Sequence, residues 1–145
     1  MTPETLVDDT DALNDIVQFE ISQEISILNA RRPWLQGHSA RTLFKGTTFR
    51  IVLISMDANS KLNKHHADGT ISVHVLRGSL RLHIGEQTRD IAANGLLTIG
   101  ASIEHDVEAL EDSHFLLTMS WPDAEALDQL RKVEHRNKAR QDATT

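Results

Sequence analysis

The chain has 145 residues, enough for one domain with a sizeable core. Its 15 basic and 21 acidic side chains give a net charge of -6, which argues against non-specific binding to nucleic acid or to an anionic membrane. There is no cysteine, so disulfide and thiolate chemistry are excluded. The first residues lack an apolar signal core and no apolar run approaches membrane-spanning length, so we expect a cytoplasmic protein.

The N-terminal part predicts a single helix that ends close to the body of the domain. Apolar residues recur at near-helical spacing from Leu13 onward, and this spacing predicts a helix over residues 22–30. Pro33 ends the helix, because proline cannot continue it. Trp34 and Leu35 then indicate an anchor that packs on the domain.

The middle of the chain predicts many short strands joined by close turns. Segments rich in Thr, Val, Ile and Phe alternate with turn signals such as Asp68-Gly69 and Asn94-Gly95. The predicted strands cover residues 41–45, 48–56, 70–76, 79–84, 86–91, 96–99, 105–110 and 114–120. This density of short strands is typical of a β-sandwich or a β-barrel.

One predicted strand, residues 49–56, is apolar on both of its alternating faces except for Arg50 and Ser55. A barrel wall has only one interior, so the outward face of this strand needs a cover. Either the N-terminal helix or a second subunit would supply that cover. We therefore predict a homodimer, with the helix as the alternative shelter.

A second helix is predicted after the last strand. Ser120 can cap it, Pro122 lies near its first position, and Asp123 follows three residues after the cap. The expected organisation is a tail and helix over residues 1–40, a β-barrel over residues 41–120, and a helix and tail over residues 121–145.

Histidines supply the candidate chemistry. His65 and His66 are adjacent and precede a turn, so a regular strand would let only one of them point inward. His105 begins an alternating run and shares a face with Val107, which predicts an inward side chain. Imidazole is the commonest neutral metal ligand, and ligands that converge from separate strands are typical of a metal site.

Other histidines are predicted to lie outside the cavity. His74 and His83 alternate with the aliphatic residues of their strands, so their side chains should point to the exterior. The candidate metal-ligating residues are therefore His65, His66 and His105.

The spacing of these residues resembles the two motifs of the cupins, over roughly residues 43–121. Gly78 matches the glycine that closes the first motif, and His65 or His66 matches one of its histidines. Asn94-Gly95 fills the opening turn of the second motif, and His105 matches its histidine.

Two positions depart from the cupin pattern. Ile71 stands where the glutamate ligand is expected, and Ala109 stands where the second motif has asparagine. The resemblance thus implies the fold more fully than it implies the metal site.

The resemblance implies an all-β fold, a double-stranded β-helix (cupin or jelly-roll) barrel with flanking N- and C-terminal helices. It also implies a cavity that binds a small molecule, and a divalent transition metal such as zinc, nickel, iron or manganese. A binding protein and a metal-dependent enzyme of the oxygenase or isomerase type are both compatible with this fold. A sensory domain of a transcription regulator is disfavoured, because residues 122–145 provide one helix and no helix-turn-helix.

Overall fold

The computed structural model describes residues 16–65 (the backbone alone for His65), residues 68–120, and Lys132 and Arg136. Helix α1 spans Ile21–Asn29, followed by a short 3-10 turn at Leu35–Gly37. The strands are β1 (His38–Lys45), β2 (Phe49–Met56), β3 (Lys61–His65), β4 (Ile71–Arg77), β5 (Ser79–Ile84), β6 (Gln87–Ala92), β7 (Leu96–Ile99), β8 (His105–Ala109) and β9 (Ser113–Ser120). The predicted helix and strands thus occur within a few residues of their expected bounds.

The C-terminal helix falls almost entirely outside the described residues. Lys132 and Arg136 have helical backbone, and the rest of residues 121–145 is not described. None of the described helices has the length and apolar composition that crossing a membrane requires.

The strands form two antiparallel sheets. Sheet A has the order β1-β2-β9-β4-β7, and sheet B has the order β3-β8-β5-β6. The chain passes from sheet A to sheet B at Gly78, between β4 and β5. The protein is therefore mostly β, as predicted.

The main hydrophobic core lies between the two sheets, and both contribute alternate residues to it. Phe115, Leu80 and Leu82 are almost completely buried there. The other buried members are Val52, Ile54, Met56, Ile71, Val73, Val75, Ile99, Val107 and Ala109. The two-residue period of the sequence thus correctly identified the inward faces of β4, β5 and β8.

A second apolar cluster covers the outer face of sheet A. Leu53, on the outward side of β2, is completely buried and packs with Ile25 and Leu28 of α1 and with Trp34. The predicted strand with two apolar faces is thus sheltered by the N-terminal helix. Leu35 does not share this burial and is 87% exposed, so its predicted role as an anchor was wrong.

The reason lies in the backbone of the 3-10 turn. Trp34 has extended backbone dihedrals and Gln36 a φ of 60°, so Leu35 lies between an extended residue and a left-handed one and does not share the direction of Trp34. Trp34 stays on the sheet, where its indole Nε1 donates a hydrogen bond to the Leu28 carbonyl at 2.8 Å.

The outer face of sheet B is charged rather than apolar. In register across its four strands, Lys61 lies opposite Glu108, Glu108 opposite Arg81, and Arg81 opposite Asp90. The guanidinium of Arg81 bonds both carboxylate oxygens of Asp90, at 2.8 and 2.9 Å, and lowers the pKa of that carboxyl group. Sheet B therefore presents its outer face to water.

Candidate functional site

A small cavity lies in the core between the two sheets, with a volume of about 40 Å³. Its described lining residues are Ile54, Leu62, Ile71, Val73, His105, Val107, Phe115 and Leu117. Among these residues, His105 alone carries a polar side chain. A ligand in this cavity would therefore meet an apolar wall with one polar anchor, which is a common composition for binding sites.

His105 is buried, with 2% of its surface exposed, as its phase with Val107 predicted. Its Nδ1 lies 3.0 Å from the carbonyl oxygen of Ile103. Because a carbonyl oxygen only accepts hydrogen bonds, Nδ1 carries the proton and the lone pair of the ring is on Nε2. A hydrogen bond of this kind fixes ring orientation and tautomer in metal-binding histidines.

The backbone of β3 brings His65 next to His105 through a bulge. Leu62 pairs with Val107 and His65 pairs with His105, so three steps along β3 match two steps along β8. Such an extra residue interrupts the alternation of a strand. Lys64, which regular pairing would place opposite His105, has a side chain that is 64% exposed. The predicted candidate His66 lies outside the described residues.

The cavity wall supports the expected metal site only in part. His105 has the tautomer and the burial of a metal ligand, whereas Ile71, 3% exposed, presents an aliphatic side chain where the cupin pattern has a carboxylate. In the part of the chain that the structure describes, no three His, Asp or Glu side chains are grouped to hold a metal ion. The described residues thus supply one suitable ligand and do not complete the expected set.

The size of the cavity limits what it can hold. A single water needs ~10–15 Å³ of such space, and sites for drug-sized ligands have ~300–1,000 Å³. At about 40 Å³, the cavity accommodates a few waters, a metal ion with a water, or a molecule of a few heavy atoms. A larger ligand would require the lining side chains to move.

His83, predicted to be exterior, lies on the outer face of sheet B. Its Nδ1 is 2.6 Å from a carboxylate oxygen of Asp106, and 45% of its side chain is exposed. His74 is half-buried and alternates with the buried Val73 and Val75, so it lies on the outer face of sheet A.

Sequence reasoning missed a buried polar pair on the outer face of sheet A. Ser55 on β2 lies opposite His114 on β9, and Ser55 Oγ is 2.6 Å from His114 Nδ1. Ser55 is completely buried and His114 is 7% exposed. Burial lowers the pKa of His114, and the nearby positive charges of Arg77 and Arg32 lower it further. The signal available was Ser55 itself, because a hydroxyl in a strand with two buried faces needs a partner.

Comparisons with known proteins give information on the fold. No protein-family model matches the sequence, and no curated protein matches it. Solved structures do match. A conserved protein of unknown function from Streptococcus pyogenes is 25% identical, with a TM-score of 0.59 over 63% of this chain and 80% of that chain. A cupin superfamily protein from Desulfitobacterium hafniense is 14% identical, with a TM-score of 0.60 over 66% of this chain and 88% of that chain.

Oxalate decarboxylase from Bacillus subtilis, a protein with Mn(II) centres, also matches. It is 18% identical, with a TM-score of 0.57 over 62% of this chain and 27% of that chain. Likeness at such low identity carries information about the fold and not about activity. Together with the two antiparallel sheets and the positions of Gly78 and His105, it confirms the resemblance drawn from the sequence: the chain is a cupin-fold protein.

Proposed function

We propose that this protein is a binding module whose cavity takes a small molecule, together with a divalent transition metal, around His105. The observation that carries the proposal is a buried imidazole in an apolar cavity, with its tautomer set by the Ile103 carbonyl. Zinc, nickel, iron and manganese all accept imidazole nitrogen as a ligand.

His65 is the favoured second ligand, and His66 is the alternative. The backbone register sets His65 opposite His105 in the antiparallel pair of β3 and β8, which supports this order of preference. A metal held here would serve as a Lewis acid toward a ligand oxygen or nitrogen. With few protein ligands, it would be held more weakly than in a four-ligand site.

Binding is favoured over catalysis by the chemistry of the wall. Ile71 offers no carboxylate to act as ligand or as general acid and base, and the other described wall residues apart from His105 are aliphatic or aromatic. A metal-dependent oxygenase or isomerase would need further polar groups in the reaction space.

We propose that the two sheets close into one barrel over residues 41–120, that residues 121–145 form a helix and tail, and that the working form is a cytoplasmic homodimer. The exposed side chain of Leu96, on the outer face of sheet A beyond the cover of α1, supports the homodimer.

The test is metal content of untagged protein after equilibration with each of the four metals. We expect His105→Ala to lose bound metal, and just one of His65→Ala and His66→Ala to lose it as well. His83→Ala is the matched control, because it removes an imidazole from the outer face of the adjacent strand. Equal metal content in all four variants would overturn the metal part of the proposal. If binding of formate or acetate, followed by ligand-observed NMR, were also unchanged by His105→Ala, the cavity would not be the binding site.

A further inference from the structure

Outside the cavity, several polar side chains of the described residues are connected near His114 at one end of sheet A. Arg32, in the loop between α1 and β1, lies 3.2 Å from a carboxylate oxygen of Asp57 and 3.8 Å from one of Asp112. The guanidinium of Arg32 also lies 4.1 Å from the centre of the Trp34 ring. Residues 31–34 are thus attached to the turns that follow β2 and precede β9. We call this attachment the Arg32 clamp.

The Arg32 clamp lies within electrostatic reach of a buried base. The charged groups that act on His114 are Arg77 from β4, Arg32 from the loop and Asp112 from the turn before β9. From β2 the neighbour is the neutral Ser55, and Asp57 reaches the site through its ion pair with Arg32. Burial and the two positive charges therefore disfavour protonation of the His114 imidazole, and the paired carboxylate of Asp112 opposes this effect only in part.

A proton on His114 would find little compensation. The imidazolium would be buried, with Arg77 and Arg32 repelling it and Asp112 already engaged by Arg32 and by the Ala58 backbone N–H at 2.8 Å. The hydrogen bond to Ser55 could persist, because the hydroxyl can accept as well as donate. Movement of Arg77 or Arg32 away from His114 would relieve the repulsion.

The side chains of both arginines are exposed, and movement of either would relieve the repulsion. Only Arg32 joins the loop between α1 and β1 to Asp57 and Asp112, so its movement is the one that would release this loop. Exposed ion pairs contribute little to stability, so the pairs of Arg32 with Asp57 and Asp112 offer weak resistance. Helix α1 has a separate attachment, the mostly buried bond of 2.6 Å between Arg41 of β1 and Glu24.

We propose that protonation of His114 opens the Arg32 clamp, so that residues 31–34 lift from sheet A while α1 stays attached through Glu24 and Arg41. Opening withdraws Trp34 from Leu53 and uncovers part of the apolar outer face of sheet A. Opening of the Arg32 clamp thus exposes that face at mildly acidic pH. It does not depend on a ligand in the cavity.

The experiment is a pH titration of the whole chain by NMR, from about pH 8 to about pH 5, through the usual histidine pKa. It follows the indole N–H signal of Trp34, which reports its hydrogen bond to Leu28, and the ring signals of His114. We expect both to move with one midpoint, below the usual histidine value of 6.5. His114→Asn should make the Trp34 signal independent of pH. His83→Asn, which removes an exposed imidazole, should leave the transition unchanged.

Arg32→Gln gives a second measurement if His114→Asn does not fold. Removing the nearby positive charge should raise the midpoint of His114, and the Trp34 signal should no longer follow it. A Trp34 signal that does not change with pH in the wild-type protein, or that changes equally in His114→Asn, would overturn the proposal. So would an unchanged His114 midpoint in Arg32→Gln.

Discussion

Ile71 and His105 line the same small cavity from opposite sheets, one on β4 of sheet A and the other on β8 of sheet B. In the cupin pattern the first of these positions holds a carboxylate, so this pair places a metal-type imidazole beside an aliphatic wall. A carboxylate introduced in place of the Ile71 side chain should therefore change the affinity of the cavity for metal ions.

We predict that Ile71→Glu strengthens metal binding by at least about tenfold, or ~1.4 kcal/mol. The new carboxylate would add an anionic oxygen ligand near His105, while the metal-free protein would lose stability because a carboxylate is buried. Isothermal titration with zinc measures the affinity, and Ile71→Gln is the control with similar volume and no charge. Equal affinities in the two variants would mean that the position does not face the metal.

We predict that Gly78→Ala destabilises the protein by about 1–3 kcal/mol. Gly78 has a φ of 85°, and a Cβ there would lie 2.8 Å from Ser113 Cα. Gly85→Ala is the matched control, since Gly85 also has a positive φ, of 57°, but open space around it. Urea unfolding should show the larger loss for Gly78→Ala, and equal losses would indicate that backbone strain alone is responsible.

The parts of the fold that follow from local rules were predictable from the sequence. Gly78 closes the first cupin-like motif, at a position where a Cβ atom would clash with the turn that precedes β9. The inward direction of the His105 side chain follows from its two-residue spacing to Val107. The positions of the other strands follow from the same alternation, except that β3 was not among the predicted strands. Each of these predictions depends on residues close together in the chain.

The remaining features depend on contacts that the sequence order does not reveal. The bulge in β3 that sets the backbone of His65 opposite His105 is visible only once β3 is aligned with β8. The partners Ser55 and His114 are 59 residues apart and meet through strand pairing. Leu35 is exposed beside a residue with positive φ, Gln36, and no sequence pattern indicated that turn.

We predict that Leu53→Ala costs about 2–5 kcal/mol, as for a fully buried leucine. Leu53 is on the outward side of sheet A, and only the cover by α1 and Trp34 makes it part of a core. Leu35→Ala is the control: Leu35 is 87% exposed, and its substitution should change stability by less than about 0.5 kcal/mol. Similar small effects for both substitutions, in urea unfolding, would show that the helix does not cover the sheet in solution.

We predict a homodimer that uses the part of this outer face beyond the helix, toward β7. Leu96 is exposed there, and Leu76 and Leu116 are only partly buried. Light scattering should give about twice the chain mass of 16.2 kDa at micromolar concentration. Leu96→Lys should shift the mass toward the monomer, whereas Thr88→Lys, on the exposed β6 of sheet B, should not. A monomer mass for the wild-type protein would contradict the prediction.

We predict that His114 makes the protein less stable as the pH falls below neutrality. Burial and the two arginines lower the pKa of His114 in the folded state, so between that value and about 6.5 the unfolded chain binds more protons than the folded one. The stabilisation is therefore complete above about pH 6.5 and is lost as the pH falls toward the folded-state pKa. Urea unfolding at about pH 7.5 and about pH 5.5 measures the difference in free energy of unfolding.

His114→Asn should reduce that difference in the free energy of unfolding between the two pH values, while His83→Asn, which changes the net charge equally, should leave most of it. A difference that is as large in His114→Asn as in the wild-type protein would assign the acid sensitivity to other groups.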